Sequence, residues 1–224
     1  MRSRVVQRLR VTYGVDGPLC YASLLDMLGL WERLLRRARV PVAYSQGYNP
    51  HQRLQFGSPL PVGYSSECEP LDVFLAERMA PLVFARAVVG QAPAGLTIAQ
   101  VLEVPLRGPA LQSVMRAAHY RVRICARQGE EQVRAAVSQL LGRAFIVRQR
   151  IRKRRTVDYD LRRLINDIRY ACADGNWHEL HMDLACGMGG SGRPEEIIDE
   201  MGVTVSHRSI HRCRLIWGKG QESR

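Results

Sequence analysis

Arg4-Val5-Val6-Gln7-Arg8-Leu9-Arg10-Val11-Thr12-Tyr13 sets Val5, Leu9, Val11 and Tyr13 against Arg4, Arg8 and Arg10, the period of two that marks a strand. Gly14 to Pro18 punctuates it, and a helix follows. Ser23 with Asp26 three residues on has the form of a capping box. Leu24, Leu28, Trp31, Leu35 and Ala38 recur at helical spacing opposite Arg33, Arg36 and Arg37, and Pro41 ends the segment. Short strands are expected at 52–57 and 70–76, where Leu71, Val73 and Leu75 alternate with Asp72 and Phe74. A helix over 80–89, a turn from Gly90 to Gly95 and a strand from Leu96 to Val104 complete a β-α-β-β-α-β order, that of the ferredoxin-like unit.

The remainder nearly repeats that order without sequence self-similarity. Beyond a linker-like 105–112 come a strand at 119–126, a helix at 130–142, a strand at 145–158, a hairpin at 166–185, a short helix at 194–201 and a last strand at 208–217. The expected fold is therefore α+β: two tandem ferredoxin-like (βαββαβ) units with antiparallel sheets, the second irregular. The first spans 1–108, the second 109–217, and 218–224 reads as a tail.

Lys plus Arg outnumber Asp plus Glu by 33 to 21, giving a formal net charge of +12 and favouring a polyanionic partner such as RNA, DNA or an acidic protein. The 6 cysteines are scattered and form no C-x-x-C pair, which excludes a zinc ribbon or iron-sulfur signature and predicts reduced, mostly buried thiols. No stretch approaches the roughly 18 apolar residues of a membrane span. The N-terminus has no signal-peptide core, so a cytoplasmic protein away from the membrane is expected.

Four places carry candidate chemistry. Residues 45–63 combine Gly47, Pro50, Gly57, Pro59, Pro61 and Gly63 with aromatic, amide and basic side chains, a loop with a specified path that can hold Tyr48, Asn49, His51 and Arg53 towards a partner. Arg148, Arg150, Arg152 and Arg154 alternate along the expected 145–158 strand and share one face, with Val147 and Ile151 on the other together with Lys153 and Arg155. Guanidinium groups bind phosphate bidentately and stack on bases, so this ladder suits a nucleic-acid backbone, with a solvated edge strand as the bland alternative. Cys186 to Glu196 is a glycine-rich loop entering a helix with Pro194 in its first turn, where Gly190, Ser191 and Arg193 could cradle an anion or form only a turn. His178 with His181, and His207 with His211, complete no recognised metal motif, and no metal site is expected.

The run Ser45-Gln46-Gly47-Tyr48-Asn49-Pro50-His51-Gln52-Arg53, continuing through Pro59-Leu60-Pro61-Val62-Gly63 to Ser66-Glu67-Cys68-Glu69-Pro70-Leu71-Asp72, resembles the radical-SAM-associated domain of unknown function found fused to or beside B12-binding radical SAM proteins. Thr156-Val157-Asp158, Leu161-Arg162, Gly190 to Glu196 and Ile210-His211-Arg212 are similar to that family's later landmarks. The chain departs from the family pattern at Leu24, where relatives carry histidine, at Gln52, a usual proline, and at Gly192, a usual alanine. The resemblance implies a radical SAM partner of the B12-binding type rather than a reaction. The C-x-x-x-C-x-x-C cluster motif is absent from this sequence, so the chain is not itself that catalytic domain.

These observations lead to a non-catalytic RNA-binding accessory protein acting with a separate radical SAM enzyme in RNA modification or processing, with no cofactor of its own. Arg148, Arg150, Arg152 and Arg154 would meet phosphate, Tyr48 would stack on a base, and Gly190, Ser191 and Arg193 would hold a second anion. One alternative is a metal-independent endoribonuclease in which His51 acts as acid or base and Arg53 stabilises the phosphorane-like transition state. Another is a protein-binding adaptor that docks on the radical SAM partner through the 45–63 loop. Two-unit RNA-processing endonucleases of CRISPR systems have a similar expected architecture, an analogy of fold alone.

Overall fold

The computed structural model describes residues 4–152, 155–187 and 189–218. Lys153, Arg154, Met188 and the expected tail from 219 onward lie outside the described residues, and so does the Arg154 rung of the arginine ladder. The chain divides into two compact units, Met1–Val114 and Met115–Arg224. Each mixes helices with antiparallel sheet.

The first unit runs β1 (Gln7–Val15), α1 (Leu24–Arg37), β2 (Leu54–Phe56), β3 (Ser65–Leu75), α2 (Pro81–Val89), β4 (Leu96–Val104) and α3 (Leu111–Val114). Its strands lie in the order β4-β1-β3-β2, every neighbouring pair antiparallel. Leu9 and Val11 of β1 stand opposite Val73 and Leu71 of β3, which puts their apolar side chains on one buried face. The other face of β1 is not the wet one that its arginines suggest, because Arg8 is buried against Asp72.

The predicted capping box starts α1. The Ser23 amide donates to Asp26 Oδ2 at 2.9 Å, and the Asp26 amide donates to Ser23 Oγ at 3.2 Å. These bonds from the Ser23 side chain and backbone hold the Asp26 carboxyl below its usual range. The buried stripe of α1 is Met27, Trp31, Leu34 and Leu35, rotated from the expected line because Leu24 stays exposed where the helix begins. Burying such side chains stabilises by roughly 1.5–3 kcal/mol each, and the Trp31 ring meets Tyr13 edge-on at 5.1 Å. The turn into β4 needs its glycine. Gly95 has φ +86°, and a Cβ there would lie 2.4 Å from the Asp16 carbonyl oxygen.

The second unit runs β5 (Met115–Ala126), α4 (Glu130–Gly142), β6 (Val147–Arg152), β7 (Arg155–Asp160), β8 (Ile165–Asp174), β9 (Trp177–Ala185), α5 (Pro194–Glu200) and β10 (Val205–Trp217). Its main sheet has the order β10-β5-β9-β8, again antiparallel throughout. Ala118, Val122 and Ile124 alternate into a core shared with Leu180, Met182 and Leu184 of β9. Val133, Val137 and Leu140 form the buried stripe of α4, at the three- and four-residue steps of a helix face.

The single strand expected over 145–158 is instead two strands, β6 and β7, paired with each other outside the main sheet. Its apolar positions explain why. Val147 and Ile151 are 63% and 82% exposed, so no core receives the face that a sheet-inserted strand would bury. The cysteines form no disulfide. Among the described residues, no helix is long and apolar enough to cross a membrane.

Candidate nucleic-acid interface

The β6–β7 hairpin is the site most changed by the structure. In an antiparallel pair, directly opposed residues point to the same side. The register opposes Arg148 to Tyr159, Arg150 to Val157 and Arg152 to Arg155. Arg155, expected on the face of Val147 and Ile151, is therefore carried round to the arginine face, and Tyr159 joins it. Reading the segment as one strand hid both residues, because the reversal between 152 and 155 changes which positions share a side.

The base of the hairpin is tied down. Arg148 Nη1 donates to Glu200 Oε1 at 3.0 Å and to the Glu196 carbonyl at 3.2 Å, and Nη2 reaches Asp199 Oδ2 at 3.4 Å. Arg143 holds the other Glu200 oxygen at 2.9 Å. The Ile146 and Arg162 amides both donate to Asp160 Oδ1, at 2.9 and 3.0 Å, closing the hairpin's two ends on one carboxylate. Tyr159 faces α5: burial first, then the neighbouring Glu196 carboxylate, pushes its phenol up to about 12, against Arg148 and Arg150. The Arg150 guanidinium lies over the Tyr159 ring at 4.7 Å. Stacking fixes its plane while the residue remains exposed, so its N–H edge is oriented before any ligand arrives. Arg155 is exposed as well.

Thus the ladder is not uniform. Arg148 is committed to α5, whereas Arg150 and Arg155 present charge outward, with Phe145, Val147 and Ile151 as exposed apolar neighbours along the same hairpin and its approach.

In the first unit, the 45–63 loop has the specified path its composition predicts. The Ser45 amide donates to the His51 carbonyl at 2.7 Å and the His51 amide to Ser45 Oγ at 2.9 Å, closing residues 45–51 at their base. Tyr48, fully exposed, and Asn49 occupy the projecting part. Arg53 does not join His51. Its backbone is bonded to Ala43 and Phe74, and its guanidinium lies 5.0 Å from the Phe74 ring centre. Among the described residues, nothing hydrogen-bonds the His51 ring, so no neighbour fixes its tautomer. Gln52, at the usual proline position, is buried and donates from Nε2 to the Glu32 carbonyl at 3.3 Å, a bond proline could not make.

Three amides of the glycine-rich loop are bonded to nearby protein oxygens. Gly190 donates to the Gly187 carbonyl at 3.2 Å, Gly192 to the Ala185 carbonyl at 3.0 Å, and Gly187 to Ser191 Oγ at 3.4 Å. Glu195 and Glu196 occupy the first turn of α5, whose dipole they complement. Arg193 is exposed beside the loop. His178 and His181 point to opposite sides of β9, as the strand period predicts. His178 is buried, donating from Nε2 to the Gln128 carbonyl at 3.0 Å and accepting from the Tyr170 hydroxyl at 2.9 Å.

A family model described as "Uncharacterized protein conserved in bacteria (DUF2344)" matches residues 8–194. No curated protein sequence matches the chain. Among solved structures, a chain in the crystal structure of a Cbf5-Nop10-Gar1 complex is similar in fold, with a TM-score of 0.52 at 10% identity over 92% of this chain and 48% of that one. The archaeal box H/ACA sRNP Nop10-Cbf5 complex follows at 0.49 and 13% identity, covering 97% and 50%. An H/ACA RNP bound to a substrate RNA containing 2′-deoxyuridine gives 0.45 at 10% identity, covering 92% and 47%. The chain spans about half the length of each of these structural relatives.

Proposed function

This chain belongs to the bacterial DUF2344 family, and from that premise we propose that it is an RNA-binding accessory protein whose contact surface is the arginine face of the β6–β7 hairpin. The observation that carries the proposal is the register that gathers Arg150, Arg155 and Tyr159 on one exposed side of a hairpin fastened to α5 through Arg148. A fixed base and a charged outer part suit a phosphate backbone, since guanidinium edges bind it without reading sequence. The net charge of +12 supports a polyanionic ligand. The strand orders β4-β1-β3-β2 and β10-β5-β9-β8, each within a β-α-β-β-α-β run once the hairpin is set aside, support a ferredoxin-like reading of both units.

The partner in this proposal is a radical SAM enzyme of the B12-binding type, and the shared task is RNA modification or processing. The 45–51 loop, closed at its base with Tyr48 outward, is the proposed second contact, to RNA or to that enzyme. Anisotropy titrations of a labelled single-stranded RNA over a salt series test the RNA contact. Each phosphate contact contributes about −0.7 to the slope of log K on log salt. The double variant Arg150→Ala, Arg155→Ala flattens that slope by about 1.4. Weak binding with no salt slope, unchanged in this variant, overturns the proposal. Pull-down of the radical SAM enzyme with and without nuclease separates direct docking from an RNA bridge.

A further inference from the structure

The main sheet of the second unit has a polar face that the hairpin does not use. Strand alternation places His119, Arg121 and Arg123 of β5 on it, opposed in register to Asp183, His181 and Glu179 of β9. His119 Nδ1 lies 3.0 Å from Asp183 Oδ1, and His181 Nε2 lies 3.0 Å from Glu179 Oε1. The two imidazoles meet edge to face, with centres 5.5 Å apart. Each therefore donates one ring N–H to a carboxylate, which sets its tautomer and plane. Nε2 of His119 and Nδ1 of His181 are left without a partner among the described residues. All four side chains are half-buried, and Arg121 and Arg123 are exposed beside them.

We propose that this face is an acid–base site for phosphodiester cleavage, with RNA as substrate. One imidazole takes the proton of the 2′-hydroxyl as the O2′–P bond forms, and the other gives its proton to O5′ as the P–O5′ bond breaks. The products are a 2′,3′-cyclic phosphate and a 5′-hydroxyl, and no co-reactant is consumed. Proton exchange with water returns both rings to their starting states. Arg121 and Arg123 neutralise charge that builds on the phosphorane oxygens. His119 and His181 are the catalytic residues, and Asp183 and Glu179 are positioning residues. The sequence pointed to His51 for this chemistry, but a ring without an orienting partner lacks what both of these have.

The inference rests on RNA being the ligand but not on the hairpin being its contact. Full-length protein is incubated in EDTA with a labelled mixed-sequence RNA and with its 2′-deoxy counterpart, and the RNA ends are identified by mass spectrometry. Cyclic phosphate ends on the RNA alone are expected. His119→Asn and His181→Asn each slow cleavage by about 10²- to 10⁴-fold while RNA affinity and thermal midpoint stay at wild-type values. Asp183→Asn lowers kcat with KM and the thermal midpoint unchanged, which a merely structural residue would not do. RNA that is bound and not cut, or cutting that survives the double histidine variant, overturns this inference and leaves the binding proposal standing. RNA that is neither bound nor cut overturns both.

Discussion

Arg8 and Asp72 form an ion pair inside the first unit, with 2% and 0% of their side chains exposed. Arg8 Nε donates to Asp72 Oδ2 at 2.9 Å, and Arg10 Nε donates to Oδ1 of the same carboxylate at 2.9 Å. Arg8 also reaches the Gly108 and Pro109 carbonyls, at 3.3 and 3.2 Å, and so fastens the segment after β4 to the sheet. Removing one partner of a buried pair leaves a desolvated charge, which costs about 3–5 kcal/mol. Asp72→Ala is expected to lose that much in urea unfolding. The triple variant Arg8→Met, Arg10→Met, Asp72→Leu recovers much of it, because apolar side chains in place of all three groups leave no uncompensated charge.

The two arginines at 148 and 150 separate by function. Arg148 is already bonded to Glu200 and Asp199, so it has little charge left for a phosphate. Arg148→Ala is expected to lower the protection of β6–β7 amides in hydrogen exchange. It shifts the salt slope of RNA binding less than Arg150→Ala, which lowers it by about 0.7 and leaves hairpin protection unchanged. Equal effects of the two variants on the slope would show that the α5 contacts do not hold Arg148.

A methyl group at residue 192 meets a wall. The Cβ of an alanine there would lie 2.9 Å from the Leu164 carbonyl oxygen and 3.2 Å from Leu184 Cβ. Gly192→Ala is expected to destabilise the protein by about 1–3 kcal/mol, the usual cost of overpacking, measured by thermal or urea unfolding.

Periodicity made much of the fold legible, and it failed where pairing decided the outcome. Leu9, Val11, Leu71 and Val73 alternate because their strands have one buried face, and the helix of Glu130–Gly142 follows from Val133, Val137 and Leu140. The arginines of 148–155 carry no such information. A charged strand reads the same whether it continues or folds back, and only the pairing with Thr156 to Tyr159 places Arg155 and Tyr159 on the arginine side. Arg8 follows a related rule: alternation assigns it to a face, while its burial depends on Asp72, which is 64 residues away. The histidine pair of the second sheet was hidden likewise, since His119 and His181 occupy different strands and acquire meaning only when Asp183 and Arg121 are set opposite them.

Tyr159 links the hairpin to α5 in a way that alkaline titration can read. Its phenol is pushed up to about 12 by burial and by the neighbouring Glu196 carboxylate, above an ordinary value of about 10. Protonated tyrosine therefore favours the folded state. The stabilisation is complete below about pH 10 and is lost as pH rises towards 12. Ultraviolet difference titration should show one phenol ionising late, absent in Tyr159→Phe. The same substitution should remove the corresponding fall in unfolding free energy across that window. It also removes the buried hydroxyl but keeps the ring beneath Arg150, so RNA affinity at neutral pH should change little. A large loss of affinity would mean that the hydroxyl contacts RNA instead of α5.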